Sequence, residues 1–241
     1  MRSQDLTQSV RAALEADVQV NLARYPLRIE AMPDRAVVLE GEVSDIAARK
    51  SALSAAARVP GVRGIVDRLR IAVGTPRGDG EIRDSLVKLI ERESELSNCT
   101  LRVRLEGRAE PVHDGGADPC GEVEAEISSG VITLNGRVLS LTHKRMLGVL
   151  AWWTPGCRDV INGIAVVPEE DDSDDEIVDA VRLALEMDPM LKAETISVRC
   201  RDAVVTLEGE VRTEAGRRQA ELDAWYVFGI ERVVNRLRPG G

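Results

Sequence analysis

A short motif occurs three times in this 241-residue chain, and the same distance separates its glycine from a second glycine in every copy. The motif is Leu-x-Gly-x-Val, and it occupies residues 39–43, 134–138 and 207–211. The two glycines are 20 residues apart each time: Gly41 and Gly61, Gly136 and Gly156, Gly209 and Gly229. A constant internal spacing indicates an array of similar units. We therefore predict three small repeated domains rather than one large domain.

Each repeat begins with a segment whose apolar residues recur at helical spacing. Relative to the first of them, the others follow at four, seven and eight positions, which places all of them on one side of an α-helix. These stripes are Leu6, Val10, Ala13 and Leu14; Ile82, Leu86, Leu89 and Ile90; and Ile177, Val181, Ala184 and Leu185. The pattern predicts one amphipathic helix at the start of every repeat.

The rest of each repeat is typical of a β-hairpin, a second helix and a last strand. In repeat three, the alternating segments 195–200 and 204–211 flank a short turn. Gly41, Gly136 and Gly209 fall inside the second strand, where a missing side chain usually marks a bulge or a close backbone approach. Gly61, Gly156 and Gly229 follow the second helix as stop signals. A strand–helix–strand crossover favours parallel pairing. We predict an α+β fold of three repeated α-β-β-α-β units, each a three-stranded mixed sheet with two helices on one face.

The last strand of each repeat carries a recognisable apolar pattern that ends in Asn or Asp. Its residues are Val62, Ile65, Val66 and Asp67; Cys157, Val160, Ile161 and Asn162; and Ile230, Val233, Val234 and Asn235. With these residues and the Leu-x-Gly-x-Val strand, the chain resembles three tandem BON domains, at residues 4–73, 79–167 and 173–238. The resemblance implies non-enzymatic bacterial modules associated with phospholipid surfaces, envelope maintenance and osmotic stress. The family motif contains no catalytic residues, so it supplies none here.

Repeat two contains an insertion of about 20 residues, at positions 99–121. The alternating run Leu101-Arg-Val103-Arg-Leu105 predicts an added strand or a longer first strand, followed by a flexible loop. Cys99 and Cys120 flank the insertion, and His113 lies between them. Without tight ligand spacing, a solvated loop is preferred to a metal site. We predict neither a metal nor a cofactor.

The second helices of repeats two and three carry an unusual stripe opposite their alanine-rich faces. At about 100° per residue, the stripe contains Arg145, Val149 and Trp152 in repeat two, and Arg218, Leu222 and Trp225 in repeat three. Trp153 and Tyr226 extend the two stripes at the helix ends. The equivalent residues of repeat one are Lys50, Ser54 and Ala57, which are typical of a solvated face.

Three explanations of these stripes stay open. The residues could pack the repeats or subunits against each other, because an apolar patch marks a contact surface without identifying the partner. They could bind a protein partner, since Trp, Tyr and Arg are common interface anchors. They could also contact an anionic phospholipid surface, where aromatic rings favour the headgroup zone and arginine pairs with phosphate.

Composition limits the remaining function classes. The formal net charge of -9 argues against a general nucleic-acid binder. No run of about 18 apolar residues predicts a transmembrane segment. As written, the chain is expected in the cytoplasm, or in the periplasm if a signal peptide has been removed. We predict a non-catalytic module that binds phospholipid surfaces or envelope components under stress. The alternative is a cytosolic protein-interaction scaffold, including one that forms homo-oligomers.

Overall fold

A computed structural model of the protein describes residues 3–105, 107–117, 119–170 and 172–240. Repeat one consists of α1 (Ser3–Glu15), β1 (Leu27–Ala31), β2 (Ala36–Val43), α2 (Ile46–Ala57) and β3 (Gly64–Ile71). Repeat two consists of α3 (Asp79–Ile90), β4 (Cys99–Leu105), β5 (Arg108–His113), β6 (Gly121–Ser128), β7 (Val131–Val138), α4 (Leu141–Trp153) and β8 (Asp159–Val166). Repeat three consists of α5 (Asp174–Met187), β9 (Ile196–Arg201), β10 (Val204–Val211), α6 (Glu214–Tyr226) and β11 (Arg232–Pro239).

The sheets confirm the predicted α+β fold class. In repeats one and three, the strand that carries the Leu-x-Gly-x-Val motif lies in the centre of a three-stranded sheet. This central strand pairs antiparallel with its hairpin partner and parallel with the strand that follows the second helix. Repeat one forms one compact unit, and repeats two and three together form a second. Among the described residues, no helix is long and apolar enough to cross a bilayer.

Repeat two differs from the three-stranded prediction because its sheet has five strands, in the order β5-β4-β6-β7-β8. The insertion contributes two of them, where the sequence predicted one added strand or a longer first strand. β4 pairs parallel with β6, the strand equivalent to β1 of repeat one, and β5 pairs antiparallel with β4. The insertion therefore extends the sheet edge without interrupting the repeat.

Side chains just after the motif strand begin each second helix. The carboxylate of Asp45 accepts a hydrogen bond from the Ala48 backbone N–H, 2.9 Å away, at the start of α2. The hydroxyl groups of Ser140 and Thr213 cap α4 and α6 in the same way. Because a capping oxygen satisfies an N–H group that lacks an intrahelical partner, it fixes the residue at which the helix begins.

A second recurring contact fastens the hairpin turn to the first helix. At the start of α5, the carboxylate of Asp174 accepts hydrogen bonds from the backbone N–H groups of Asp202 and Ala203, at 2.8 and 3.0 Å. These hydrogen bonds lower the pKa of Asp174, and the bond from the Ala203 N–H has the largest effect. In repeat two, Asp79 accepts equivalent bonds from the turn at residues 129–130. In repeats two and three, one carboxylate thus holds the hairpin turn against the first helix.

The motif glycines occupy positions that no other residue fits. Gly209 has a φ of +132°, in a region that side chains rarely adopt. A Cβ atom there would lie 2.1 Å from the carbonyl oxygen of Thr195, which precedes β9. Gly136 has nearly the same geometry against the Glu122 carbonyl oxygen. The constant glycine therefore reflects the close approach of the first hairpin strand to the central strand.

We expect Gly209→Ala to lower the free energy of unfolding of repeats two and three by roughly 2–4 kcal/mol, because of backbone strain and steric overlap. Gly216→Ala is the matched control in the same repeat. Gly216 lies in α6, and a Cβ atom there would make only ordinary contacts of 3.5 Å or more. This control should change stability by less than about 1 kcal/mol, in the stabilising direction. Denaturant unfolding measures both, and equal effects of the two variants would contradict this explanation.

A disulfide between Cys99 and Cys120 closes the insertion. Cys99 begins β4 and Cys120 immediately precedes β6, and the parallel pairing of these strands brings their Cα atoms to 4.9 Å. Both cysteines are buried. Cys157 and Cys200 are free thiols. The cross-link stabilises repeat two chiefly by restricting the insertion in the unfolded chain.

The number of reactive thiols tests this pairing. Denatured, unreduced protein should react with a thiol reagent at Cys157 and Cys200 alone, and full reduction should add Cys99 and Cys120. Reduction should also lower the melting temperature of repeats two and three, because closing a loop of this length contributes about 3 kcal/mol. A Cys99→Ala/Cys120→Ala variant should melt at the same temperature with and without reductant. Four reactive thiols in the unreduced parent would disprove the cross-link.

Candidate functional site

Helix α4 packs against repeat three as well as against its own sheet. Its contacts with α5 and α6 form a surface that we call the seam. Met146 and Leu147 belong to the core of repeat two, whereas Val149 belongs to the core of repeat three. In return, Leu183 and Met187 of α5 pack against the core of repeat two. The predicted stripe of repeat two is therefore largely covered by repeat three.

Arg145 is the charged centre of the seam. Its side chain is 2% exposed, and its Nη2 atom lies 2.5 Å from Oδ1 of Asp172, at the start of repeat three. Its Nε atom donates a hydrogen bond to the Phe228 carbonyl oxygen at 3.4 Å. Nε and Nη2 are therefore hydrogen-bonded within the chain, whereas Nη1 is buried without a hydrogen-bond partner among the described residues. The contact of Arg145 and Val149 with repeat three corresponds to the packing explanation of the stripe.

At the same end of the seam, Lys144 and Phe228 make a second contact between the repeats. The Lys144 Nζ atom lies 4.9 Å from the centre of the Phe228 ring, which is 53% exposed. A cation over an aromatic face contributes only about 0.5–1 kcal/mol at an exposed site. The contact is a modest supplement to the Arg145 pair.

The opposite end of the seam is aromatic and partly open. The Trp152 ring stacks on Tyr226 with ring centres 5.7 Å apart and an angle of 18° between their planes. Trp153 donates a hydrogen bond from Nε1 to Oδ1 of Asp223 at 3.1 Å. Between the two helices is a cavity of about 350 Å³, which we call the seam pocket. It is lined by Trp152, Trp153, Thr154, Pro155, Asp188, Pro189, Gln219 and Tyr226.

Two buried carboxyl groups lie at this pocket. Asp188 is 7% exposed and is on its lining, whereas Asp223 is fully buried behind it on α6. The Asp188 carboxyl is within hydrogen-bonding reach of Asp223, and Gln219 donates a second hydrogen bond to Asp223 Oδ1 at 2.9 Å. Burial, followed by the negative charge of Asp188, raises the pKa of Asp223 to about 8. Asp223 therefore holds a proton at neutral pH, when an exposed aspartate would not.

The predicted stripe of repeat three lies along one side of α6. Arg218 is exposed, and Leu222 and Trp225 are half-buried. Trp225 packs against the core of its own repeat. Of the eight predicted binding residues, five therefore meet at the seam: Arg145, Val149, Trp152, Trp153 and Tyr226. The other three form a separate face of α6, and their role in binding stays a prediction.

Sequence reasoning missed Asp188 and Asp223. A usable signal was present for Asp223, because it lies one position before Ala224 and three after Ala220, on the buried side of α6. A carboxyl group on a buried face requires a partner. No such signal identifies Asp188, because it lies just after α5, outside the helical pattern.

The insertion provides another cavity, of about 630 Å³, on the outer face of the repeat two sheet. Its lining includes Arg102, Glu122 and Glu124. Glu124 already accepts two hydrogen bonds from the Arg104 guanidinium, at 2.9 and 3.1 Å, and this interaction lowers the pKa of Glu124. With this charge compensated inside the chain, the cavity indicates no ligand of particular chemistry.

Potential metal ligands cluster at only one place in the described residues. Potential ligand atoms of Cys99, Cys120 and His143 lie within 4.8 Å of one another. The two sulfurs are joined in the disulfide, so neither is a thiolate ligand. His113, the histidine that the sequence placed between these cysteines, makes a hydrogen bond with the Ser97 carbonyl oxygen instead.

Fold and site together define a tandem array of three α+β modules, two of which are docked through their helices. The family model for the BON domain matches residues 3–73, 114–168 and 173–240, which together make up more than half of the chain. The chain therefore belongs to the BON domain family. The second match begins after β5, so α3 and the two inserted strands lie outside it.

Other comparisons add little. No protein with a curated description matches the chain. Two solved structures of CdsD, a structural protein of the type III secretion system of Chlamydia trachomatis, align along their length. One is the C-terminal domain, at 10% identity over 100% of both chains with a TM-score of 0.25. The other has 11% identity over 98% of this chain and 93% of that chain, with a TM-score of 0.24. Such scores support no conclusion about this fold or its function.

The buried carboxyl pair predicts an unusual pH dependence of stability. The pKa of Asp223 is raised from 3.8 to about 8, so between these values the folded protein holds a proton that the unfolded chain releases. Stability from this group is therefore full below about pH 4 and declines as the pH rises toward 8. Asp223→Asn mimics the protonated form and keeps an oxygen that can accept from Trp153 and Gln219.

We expect Asp223→Asn to melt several degrees above the parent at about pH 9, with the difference shrinking at about pH 5. Scanning calorimetry at both pH values measures it. Asp179→Asn is the control, because the Asp179 side chain is 75% exposed on α5. A constant difference between parent and Asp223→Asn at the two pH values would show that Asp223 is ionised in the folded protein.

Proposed function

We propose that this chain is a non-catalytic binding module whose docked repeats two and three attach it to a phospholipid surface. The observation that supports the proposal is the composition of the open end of the seam. Met190 is 79% exposed and follows Pro189, which lines the seam pocket beside Trp152, Trp153 and Tyr226. An exposed apolar side chain next to half-buried aromatic rings suits the headgroup layer of a membrane.

The binding surface differs from the one that the sequence suggested. With Arg145 paired inside the seam, the lipid contact is proposed to depend on the apolar and aromatic end. Such a contact should weaken only partly with added salt, because apolar burial does not depend on charge screening.

The disulfide favours an oxidising compartment for this function. Cytosolic proteins rarely keep structural disulfides, whereas envelope and secreted proteins commonly do. We therefore propose an envelope location rather than the cytoplasm, supported by the Cys99–Cys120 cross-link.

A protein scaffold is the second candidate, supported by the repeat symmetry. Arg218, Leu222 and Trp225 hold the helix positions in repeat three that Arg145, Val149 and Trp152 hold in repeat two. Because repeat two uses those positions to dock onto another repeat, the face on α6 has the geometry for a similar contact with a protein partner or a second copy of this chain.

Co-sedimentation with phospholipid vesicles tests the preferred function. Met190→Glu should reduce the vesicle-bound fraction several-fold, because a charged group replaces an apolar one at the contact. Val18→Glu is the matched control, since Val18 is 99% exposed but belongs to repeat one. It should bind like the parent. Equal vesicle binding by the parent and both variants would show that the open end of the seam does not contact the membrane. The scaffold would be established instead if the parent binds no vesicles, associates with a protein partner or a second copy of itself, and loses that association on Leu222→Glu substitution.

A further inference from the structure

The seam pocket has an electrostatic property that packing alone does not explain. Asp188 and Asp223 are both more than nine-tenths buried. In the part of the chain that the structure describes, neither of these carboxyl groups forms an ion pair with lysine or arginine, and none of the residues lining the pocket is basic. Buried acidic groups are normally paired, because an uncompensated charge is costly in a low-dielectric interior. The pocket therefore offers negative charge without a protein cation to neutralise it.

Besides Asp188, the lining combines three aromatic side chains with Thr154, Pro155, Pro189 and Gln219. Trp152, Trp153 and Tyr226 contribute three π-systems to a cavity of about 350 Å³. Aromatic faces attract cations through their quadrupole, and they do so most strongly where water is excluded. The volume lies at the lower end of the range for small-molecule sites. Size and lining together suit a compact organic cation.

The number of free hydrogen-bond acceptors in the pocket indicates which class of cation it suits. Asp188 Oδ1 already accepts a hydrogen bond from the Met190 backbone N–H at 2.7 Å, and the Thr154 hydroxyl donates to the Leu150 carbonyl oxygen. Too few oxygens remain for calcium, which takes six to eight ligands. A primary ammonium needs an acceptor for each of its three N–H groups, and one oxygen of Asp188 is already used by the Met190 N–H. A methylated ammonium needs none, and its methyl groups can pack against the rings.

We propose that the seam pocket binds a methylated ammonium cation such as a choline group, held by the aromatic side chains of Trp152, Trp153 and Tyr226 and by the carboxyl group of Asp188. The cation could be a free solute or the headgroup of a lipid, and both present the same trimethylammonium chemistry. The free-solute form is independent of membrane attachment, and the lipid form rests on the proposed function.

Binding should be coupled to the protonation of Asp223. The groups that face this carboxyl are Trp153 from α4, Asp188 from the segment after α5 and Gln219 on α6 itself. Among these, Asp188 is the one other acidic group. A bound cation favours the ionised form of a nearby carboxyl and so promotes release of its proton. Affinity for the cation should therefore increase as the pH rises toward about 8.

Titration of the full chain with choline chloride, at constant ionic strength and followed by tryptophan fluorescence, tests the proposal. We expect a saturable change because two tryptophans line the pocket. The neutral isostere of choline, in which carbon replaces nitrogen, should bind at least tenfold more weakly. No saturable change with choline, or equal binding of the isostere, would overturn the proposal.

Matched variants locate the site. Asp188→Asn should weaken choline binding at least tenfold, whereas Asp179→Asn, which removes an exposed carboxylate from α5, should leave it within twofold. If Asp188→Asn fails to fold, Tyr226→Leu replaces it, since leucine keeps apolar bulk and removes the ring. Parent-like binding by the folded pocket variant would overturn the assignment.

A second arm separates the two sources of the cation. Phosphatidylcholine vesicles that compete with free choline would identify a lipid headgroup, and choline binding without such competition would identify a free solute. The Met190→Glu vesicle assay reports on membrane attachment separately. A protein that binds choline but not vesicles would refute the proposed function and retain the pocket. A protein that binds vesicles but not choline would refute the pocket proposal and retain the proposed function.

Discussion

The packing of α4 into two cores at once is the interaction on which the structure of repeats two and three depends. One side of this helix supplies Met146 and Leu147 to its own repeat, and the adjoining side supplies Val149 to the next. Because this helix is buried on both sides, moving it away from either repeat would expose the core of that repeat. Its docking also buries Arg145 and assembles the aromatic pocket at the far end. Stability and the candidate site consequently depend on the same contact.

Repeat one shares the fold of repeat three but not the side chains that α4 uses for docking. It has the same glycine spacing and the same strand order as repeat three, yet it forms a compact unit of its own. At the positions of Arg145, Val149 and Trp152 it has Lys50, Ser54 and Ala57. Those side chains supply less apolar surface than Val149 and Trp152 do. The fold is common to the repeats, whereas docking is a property of particular side chains.

The limits of sequence reasoning follow from the same distinction. Gly209 and its equivalents predicted the fold because a close backbone approach is local to one repeat and leaves a constant residue behind. Helical periodicity placed the stripe on α4 opposite the alanine-rich face, but periodicity cannot show which surface covers it. The Cys99–Cys120 pair was missed for a related reason. Their proximity arises from parallel pairing of β4 with β6, and spacing along the chain does not reveal that pairing.

The carboxyl pair at the seam pocket is costly, and its cost supports a ligand-binding role over a packing role. An apolar residue at position 223 would fill the space between α4 and α6 without the energy needed to keep a proton on a buried acid. The seam is already held by Val149, Leu183 and Met187, so the pair is not required to join the repeats. Groups that reduce stability where packing is otherwise sufficient are typical of binding sites. A bound cation would compensate the charge of Asp188, and the energy recovered in this way would contribute to the affinity for the cation.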